Sequence, residues 1–332
     1  PNVVRAYPIK AQGAGYSASI MNLVEGINDQ WFRPADVTVA PDGSIFIADW
    51  YDPGVGGHQA GDQNKGRIYR IAPKNTHYLV KKLRIDSPIG TITALFNPNL
   101  ATRYLGYKAL KGFGMKAHKD IAAVFQNESN PRLKARLFWL LAQGSDGLSY
   151  IDKALNDPSE EWRMMAIRAM KTRPFDTWKA LAHRVVKDAN FQVKRELAIA
   201  LHHVKSAEAD AIWTALAMQH NGADRWYLEA LGIGADMQWD SRLSAYLAIK
   251  PADSPAFRDI IFRSRSEFAN PFIFQFLKEN KPLSEKLRYF RALDFLPGEQ
   301  KSVLLIDLIN KELKNDPAST LVAIRHLSPA FI

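Results

Sequence analysis

Cysteine is absent from the 332-residue chain. Without a thiol, the chain cannot form disulfides or thiolate metal sites, and it cannot attach haem through a Cys-x-x-Cys-His motif. The absence does not fix the compartment, because an exported protein can lack disulfides as easily as a cytoplasmic one. Long apolar runs are also absent. None approaches the roughly 18 residues that a membrane span needs, so no transmembrane segment is predicted.

Several enzyme motifs are missing as well. No serine stands in a G-x-S-x-G elbow, so a hydrolase has no support. His183, His202 and His203 fall in helical patterns without a His-Glu-x-x-His motif or a carboxylate at i+4, and we do not expect them to bind a metal. The first residues, PNVVRAYPIK, have neither an initiator Met nor a signal pattern. We therefore expect the chain to be a processed product or an excised piece.

The net charge is +10. Such a charge permits contact with phosphate backbones, anionic lipid or acidic glycans. Lys and Arg are scattered among Asp and Glu rather than collected in blocks, however. A solvated basic surface is therefore the favoured interpretation, and a nucleic-acid surface is the alternative.

A repeat of about 31 residues organises most of the chain. Five segments share a pattern in which a basic residue comes second and small or apolar residues follow: TRYLGYKAL, LKARLFWLL, WRMMAIRAM, VKRELAIAL and DRWYLEALG. Their basic residues are Arg103, Lys134, Arg163, Lys194 and Arg225, spaced 31, 29, 31 and 31 residues apart. We interpret this ladder as structural, with each cation paired to an Asp or Asn of a neighbouring repeat.

Turn residues and second amphipathic runs complete each repeat. Asn130-Pro131 and Asp157-Pro158 precede two of the segments, and an Asx cap followed by Pro marks a helix start. A helix pair this short cannot bury its apolar stripe alone, so neighbouring pairs must stack. The pattern resembles HEAT repeats of the short bacterial kind. This resemblance predicts a mainly α protein, with an α-solenoid of about seven pairs over residues 96–332.

Tryptophan recurs within the repeats. Each indole can bury on the order of 150–250 Å², so we expect all six to pack between repeats. They are Trp139, Trp162, Trp178, Trp213, Trp226 and Trp239.

The head of the chain follows a different period. ADVTVA and SIFIAD alternate across Pro41-Asp42-Gly43, which predicts a β-hairpin. GRIYRIA (66–72) and THYLVKKLRI (76–85) are candidate third and fourth strands, and 2–9 and 17–26 are candidates upstream. Four antiparallel strands suit one propeller blade, but a propeller needs at least about four blades. Residues 1–90 are therefore predicted to be a partial β-propeller, the last one to two blades of a longer one.

The stretch WFRPADVTVAPDGSIFIADWYDPGVGGHQ, followed by GRIYRIAP and then helical repeats, resembles large dehydrogenase-like proteins of planctomycetes, verrucomicrobia and some Bacteroidetes. In these, a propeller similar to quinoprotein glucose and sorbosone dehydrogenases precedes a HEAT array, often with a c-type cytochrome domain. The resemblance implies a periplasmic or extracellular protein. It also implies a full-length parent that oxidises a sugar or alcohol with PQQ and Ca²⁺. With no cysteine and most blades missing, this chain itself is not expected to be catalytic.

One loop collects carboxylates, an imidazole and aromatics. Propeller loops line the axial mouth where ligands bind, so Arg33, Asp49, Trp50, Asp52 and His58 are candidates to line a substrate or cation site. The other interpretation, which we favour, is a long inter-strand loop with turn chemistry and a Trp plug.

The sequence supports two functions. The favoured one is a scaffold for protein–protein interaction, in which the helical array docks the propeller against a c-type cytochrome or another envelope protein. The alternative is a basic HEAT-repeat nucleic-acid-binding protein resembling alkylpurine DNA glycosylases. The sheet-forming head does not fit that second family.

Overall fold

The computed structural model describes residues 2–51, 65–295, 300–313 and 315–331. The protein is mainly helical, with a small antiparallel sheet module at its N-terminus, as the sequence predicts. Two compact units are present: Pro1–Lys10 with Ser17–Ile151, and Ala11–Tyr16 with Asp152–Ile332. The predicted domains, 1–90 and 96–332, follow the type of secondary structure, whereas these units follow packing. The first helices therefore belong with the sheet module.

The strands are β1 (Val3–Ala6), β2 (Ile9–Gln12), β3 (Gly15–Ala18), β4 (Met21–Glu25), β5 (Pro34–Val39), β6 (Ile45–Asp49) and β7 (Arg67–Ile71). Within the described residues they pair in three small sheets, ordered β1-β4, β2-β3 and β5-β6-β7. The predicted hairpin is β5-β6, and the predicted third strand is β7. The predicted fourth strand, 76–85, is wrong: the segment is irregular. It follows a turn at which Asn75 has a φ of 65°, and most of its side chains are exposed.

The antiparallel register places two apolar rows on one face of the three-stranded sheet, next to the opposed pair Asp49 and Arg67. Val37 lies opposite Ile47, which lies opposite Tyr69, and Val39, Ile45 and Ile71 form the next row. Directly opposed residues point to the same side of a sheet. We call these six residues the apolar sheet face. Ile47 is buried, but Val37 is 51% exposed, Val39 38% and Ile71 39%.

The helices of the first unit pack around one apolar cluster. Ile92, Leu95, Leu110, Ile121 and Leu137 are all buried in it. Asn130 caps α4 by accepting from the Arg132 and Leu133 amides, as the Asn-Pro motif predicts. The helices are α1 (Pro88–Leu95), α2 (Leu100–Phe113), α3 (Met115–Asn127) and α4 (Pro131–Leu141), and α5 (Gly147–Leu155) crosses into the second unit.

The second unit continues the helix pairs. The five predicted segments fall on α2, α4, α6, α8 and α10, and the second runs on α3, α5, α7, α9 and α11. The remaining helices are α6 (Glu160–Met170), α7 (Lys179–Val185), α8 (Phe191–Ala200), α9 (Ala207–Ala217), α10 (Arg225–Ala235), α11 (Trp239–Ala248), α12 (Pro255–Arg263), α13 (Asn270–Lys278), α14 (Leu283–Ala292), α15 (Gln300–Leu308) and α16 (Pro317–Arg325).

Tryptophan burial only partly follows the prediction. Trp178, Trp213 and Trp239 are buried, and the Trp213 indole N–H donates to the Leu231 carbonyl at 2.9 Å. The prediction is wrong for Trp226, which is 58% exposed. The indole stands in the first turn of α10, one position before the buried stripe that begins at Tyr227. It therefore lies beside the packed face rather than on it.

Helices α8 and α10 approach closely because Gly234 has no side chain. A Cβ on Gly234 would lie 2.3 Å from the Ala198 carbonyl oxygen, an atom of the α8 backbone. A backbone atom cannot turn aside as a flexible side chain can. The spacing of these two helices therefore depends on glycine at position 234.

The contact at Gly234 predicts opposite effects for two Gly→Ala substitutions. Gly234→Ala should destabilise the protein by about 1–3 kcal/mol through overpacking. Gly112→Ala, in α2, is the control: a Cβ there meets nothing within 4 Å. It should leave stability unchanged or raise it by up to about 1 kcal/mol through helix propensity. Denaturant unfolding of both variants measures this. Equal effects would contradict the close approach.

Candidate functional site: a groove that holds residues 11–16

Residues Ala11–Tyr16, which contain the turn between β2 and β3, belong to the second unit with α8 and α10. We call them the docked segment. Gly13 has a φ of 55°, a left-handed conformation that glycine adopts without steric cost. Ala14 and Gly15 are buried. A short glycine-rich turn from the head of the chain is thus part of the helical unit.

The helices hold the docked segment by its main chain. The Ala14 N–H donates to Asp224 Oδ2 at 2.7 Å, and Gln192 Nε2 donates to the Gly15 carbonyl at 2.7 Å. Arg195 Nη1 donates to the Ala14 carbonyl. Asp224 is the N-cap of α10, while Gln192 and Arg195 stand three apart on one face of α8. The Ala14 N–H and the Ala14 and Gly15 carbonyls of the buried turn are therefore paired.

Steric fit restricts what can occupy the groove. A Cβ on Gly15 would lie 2.1 Å from Trp226 Cδ1, and one on Gly13 would lie 2.4 Å from Asp224 Oδ2. Main-chain hydrogen bonds admit any sequence, but these two contacts, together with the left-handed φ of Gly13, favour glycine at both positions. The groove therefore selects a Gly-x-Gly turn. Trp226, exposed on one side, closes the groove on the other.

A charged cluster holds Arg195 in place. Glu196 Oε1 accepts from Arg195 Nη2 at 2.8 Å and from Arg168 Nη2 at 2.7 Å, and its side chain is nearly buried. Burial raises the pKa of Glu196, but the two arginines outweigh burial and hold that pKa below its usual value. The Arg195 guanidinium also lies 5.2 Å from the Tyr16 ring centroid. Glu196 thus holds Arg195 independently of the docked segment, and Tyr16 adds a contact from within that segment.

The ladder residues of the second unit have different surroundings. Arg163 donates through Nε to Asp188 at 2.7 Å, and Asp188 lies in the turn before the next repeat. Lys194 is buried with its ammonium 4.6 Å from the Phe191 ring centroid, and burial lowers its pKa. Arg225 is exposed and makes no ion pair among the described residues. The shared sequence position does not give a shared role.

The ladder residues of the first unit make local contacts. Arg103 Nη2 donates to the Pro98 carbonyl at 3.0 Å. The Lys134 ammonium lies 5.1 Å from the Phe125 ring centroid. Arg103 also lines a cavity of about 360 Å³ with Tyr104 and Trp139.

The predicted ligand-lining residues are only partly described. Asp52 and His58 lie outside the described residues. The Asp49 carboxylate is buried and accepts from the Arg33 amide at 2.7 Å, the Tyr51 amide at 3.0 Å and Arg67 Nε at 2.7 Å. The Trp50 side chain is exposed. Arg33 and Asp49 are in contact, but through the main-chain amide of Arg33. The Asp49 carboxylate is occupied by hydrogen-bond donors of the protein itself.

Sequence reasoning missed the docked segment. Its partners lie 177 to 210 residues away, a distance that no local pattern spans. The available signal was Gly13-Ala14-Gly15 between two strand-like runs, because glycine within a strand pattern often marks a close backbone approach.

The chain is similar to one family model and to a solved structure. A family model described as a domain of unknown function (DUF7133) matches residues 1–75. No curated protein matches. Among solved structures, the chain is similar to YibA of Escherichia coli, with 14% identity over 75% of this chain and 99% of that one and a TM-score of 0.43. Within the described residues, no helix is long and apolar enough to span a membrane.

The groove predicts a loss of stability for Gln192→Ala. The substitution leaves the buried Gly15 carbonyl without its donor, which costs about 1–3 kcal/mol. Amide exchange at Ala14 and Tyr16 should accelerate, because the docked segment opens more often. Arg225→Ala, an exposed neighbour on α10, is the control and should change neither quantity. Hydrogen exchange resolved to these peptides measures both variants. Unchanged exchange in Gln192→Ala would contradict the docking.

Proposed function

We propose that the chain is a scaffold for protein–protein interaction, built on a HEAT-like α-solenoid whose helices bind a short polypeptide turn by its main chain. The docked segment carries this proposal. Its main-chain groups are bound by Asp224, Gln192 and Arg195. Its glycines are favoured by steric contact with Asp224 and Trp226. Recognition of main chain with one or two side-chain restrictions is how protein modules commonly bind peptides.

The order of helix packing in the second unit supports the solenoid. The first helices of successive pairs pack in a series, α6 on α8, α8 on α10, α10 on α12 and α12 on α14. The second helices do the same, α7 on α9 and α9 on α11. In a solenoid each repeat contacts its neighbours in sequence, whereas a bundle converges on one centre. Such an array leaves a continuous surface along the row of helices.

For the sheet module we propose that it is the terminal part of a β-propeller resembling those of the dehydrogenase-like proteins, in an exported protein. The apolar sheet face supports this proposal, because water-exposed Val37, Val39 and Ile71 on one side of a sheet call for a covering layer. A neighbouring blade, packed about 10 Å away, is the covering layer that we propose.

Two carboxylates of the sheet module, Asp49 and Asp42, are not available to bind Ca²⁺. Asp49 is buried with its oxygens taken by Arg33, Tyr51 and Arg67. Asp42 is paired with Arg70 at 2.9 Å. We therefore propose sugar or alcohol oxidation with PQQ and Ca²⁺ only for a full-length parent, with a c-type cytochrome or similar partner. The nucleic-acid alternative is less favoured, because several arginines of the second unit already pair with carboxylates. They are Arg163, Arg168, Arg242, Arg258 and Arg263.

Binding in trans tests the scaffold. Gly15→Leu should expel the docked segment, because the new side chain collides with Trp226. A synthetic peptide of residues 9–20 should then bind this variant and change its Trp fluorescence. The wild type should bind far less, since its own segment competes at an effective concentration on the order of millimolar.

A peptide with Leu in place of Gly15 is the matched control and should not bind. Circular dichroism checks that the Gly15→Leu protein is folded. The scaffold proposal fails if this folded variant does not bind the native peptide at millimolar concentration.

The apolar sheet face predicts dye binding and self-association. A hydrophobic dye should bind the wild-type protein, and the double substitution Val39→Thr/Ile71→Thr should weaken that binding several-fold by removing exposed apolar surface. Ile68→Thr is the control, because Ile68 is exposed on the opposite face. Dye fluorescence measures the dye binding, and sedimentation velocity measures the self-association. An equal loss in the control would show that the apolar sheet face has no special part.

A further inference from the structure

We propose that His202, His203 and Asp236 form a binding site for a divalent transition-metal ion, with Zn²⁺ the best match. One donor atom from each residue lies within 4.8 Å of the others. All three side chains are exposed, so an ion can reach them from solvent. Two of them follow α8 and the third follows α10.

The backbone places the donors together. His202 and His203 lie in the turn after α8, and His203 has a φ of 64°. Continued helix would direct adjacent side chains about 100° apart. The left-handed turn instead brings the two imidazole rings close together, with centroids 3.6 Å apart and planes tilted by 33°. Left-handed backbone is uncommon for a residue with a side chain, and such conformations cluster at functional sites.

Asp236 supplies the third donor. It is the C-cap of α10, where the backbone leaves the helix. Its Oδ2 lies 3.3 Å from His202 Nε2. Donor atoms that bind Zn²⁺ at about 2.0–2.2 Å in a tetrahedron stand about 3.3–3.6 Å apart. His202 and Asp236 therefore already span one edge of that tetrahedron. Rotation of the exposed His203 ring is enough to complete a face.

The donor set selects the kind of ion. Imidazole nitrogen suits Zn²⁺, Cu²⁺ and Ni²⁺, whereas Ca²⁺ and Mg²⁺ prefer oxygen ligands throughout. Three protein ligands leave the fourth position of Zn²⁺ to water. The sequence predicts no metal here, because the histidines have neither a His-Glu-x-x-His motif nor a carboxylate at i+4. The carboxylate comes instead from a residue 34 positions downstream.

The same two helices hold the docked segment. Gln192 and Arg195 of α8 and Asp224, the N-cap of α10, grip it near the N-terminal ends of the helices, and the proposed ion bridges their C-terminal ends. A bound ion should therefore stabilise the α8–α10 contact.

Zn²⁺ titration of the full chain by calorimetry at neutral pH tests the site. We expect one saturable equivalent in the wild type. His203→Asn, which keeps a residue that tolerates the left-handed turn, and Asp236→Asn should each weaken binding at least tenfold. His183→Ala is the matched control: His183 is exposed and faces a single carboxylate, Glu208. It should bind Zn²⁺ as the wild type does.

Two further measurements complete the test. Co²⁺ should give the intense visible absorption of a four-coordinate site in the wild type and not in His203→Asn. Zn²⁺ should raise the unfolding temperature of the wild type and of His183→Ala, but not that of His203→Asn or Asp236→Asn. The proposal is overturned if the wild type shows no saturable equivalent, if His203→Asn and Asp236→Asn bind as tightly as the wild type, or if His183→Ala loses the same binding.

Discussion

The close contact between α8 and α10 is the constraint on which the second unit depends. It requires a glycine at position 234 because the Ala198 carbonyl occupies the space of a side chain. With the helices at this spacing, Gln192 and Arg195 on one and Asp224 at the start of the other reach the same short turn. At the opposite end, His202 and Asp236 come within 3.3 Å. One backbone contact thus sets the geometry of both features.

Local chemistry explains how much of the fold the sequence predicts. The Asn130-Pro131 cap and the helix pairs follow from rules that act within a few residues. The β5-β6 hairpin follows from alternation across an Asp-Gly turn. The coarse class, mainly α after a small antiparallel sheet module, is confirmed for that reason. The fourth strand was wrong because alternation alone does not supply a partner strand.

The candidate groove was not predictable in the same way. Glycine is needed at positions 13 and 15 because of the Asp224 and Trp226 side chains, which lie about 210 residues later in the sequence. No periodicity of the sequence encodes these contacts. Trp226 illustrates the same limit. Its place in the repeat suggests core, yet it lies on the flank of α10 and contacts the turn. The ladder residues share a position in the repeat, but Arg163 meets a carboxylate and Lys194 a ring.

The docked segment also bears on how the chain is made. Gly13, Ala14 and Gly15 are synthesised well before their partners, because Gln192 follows Gly15 by 177 residues and Asp224 follows Ala14 by 210 residues. Contacts of such sequence separation close late, since the entropy of a long loop must be overcome first. The docked segment therefore remains without these partners while the intervening residues are synthesised. A chaperone that shields the nascent head during that interval would have a turn with two unsatisfied carbonyls to recognise.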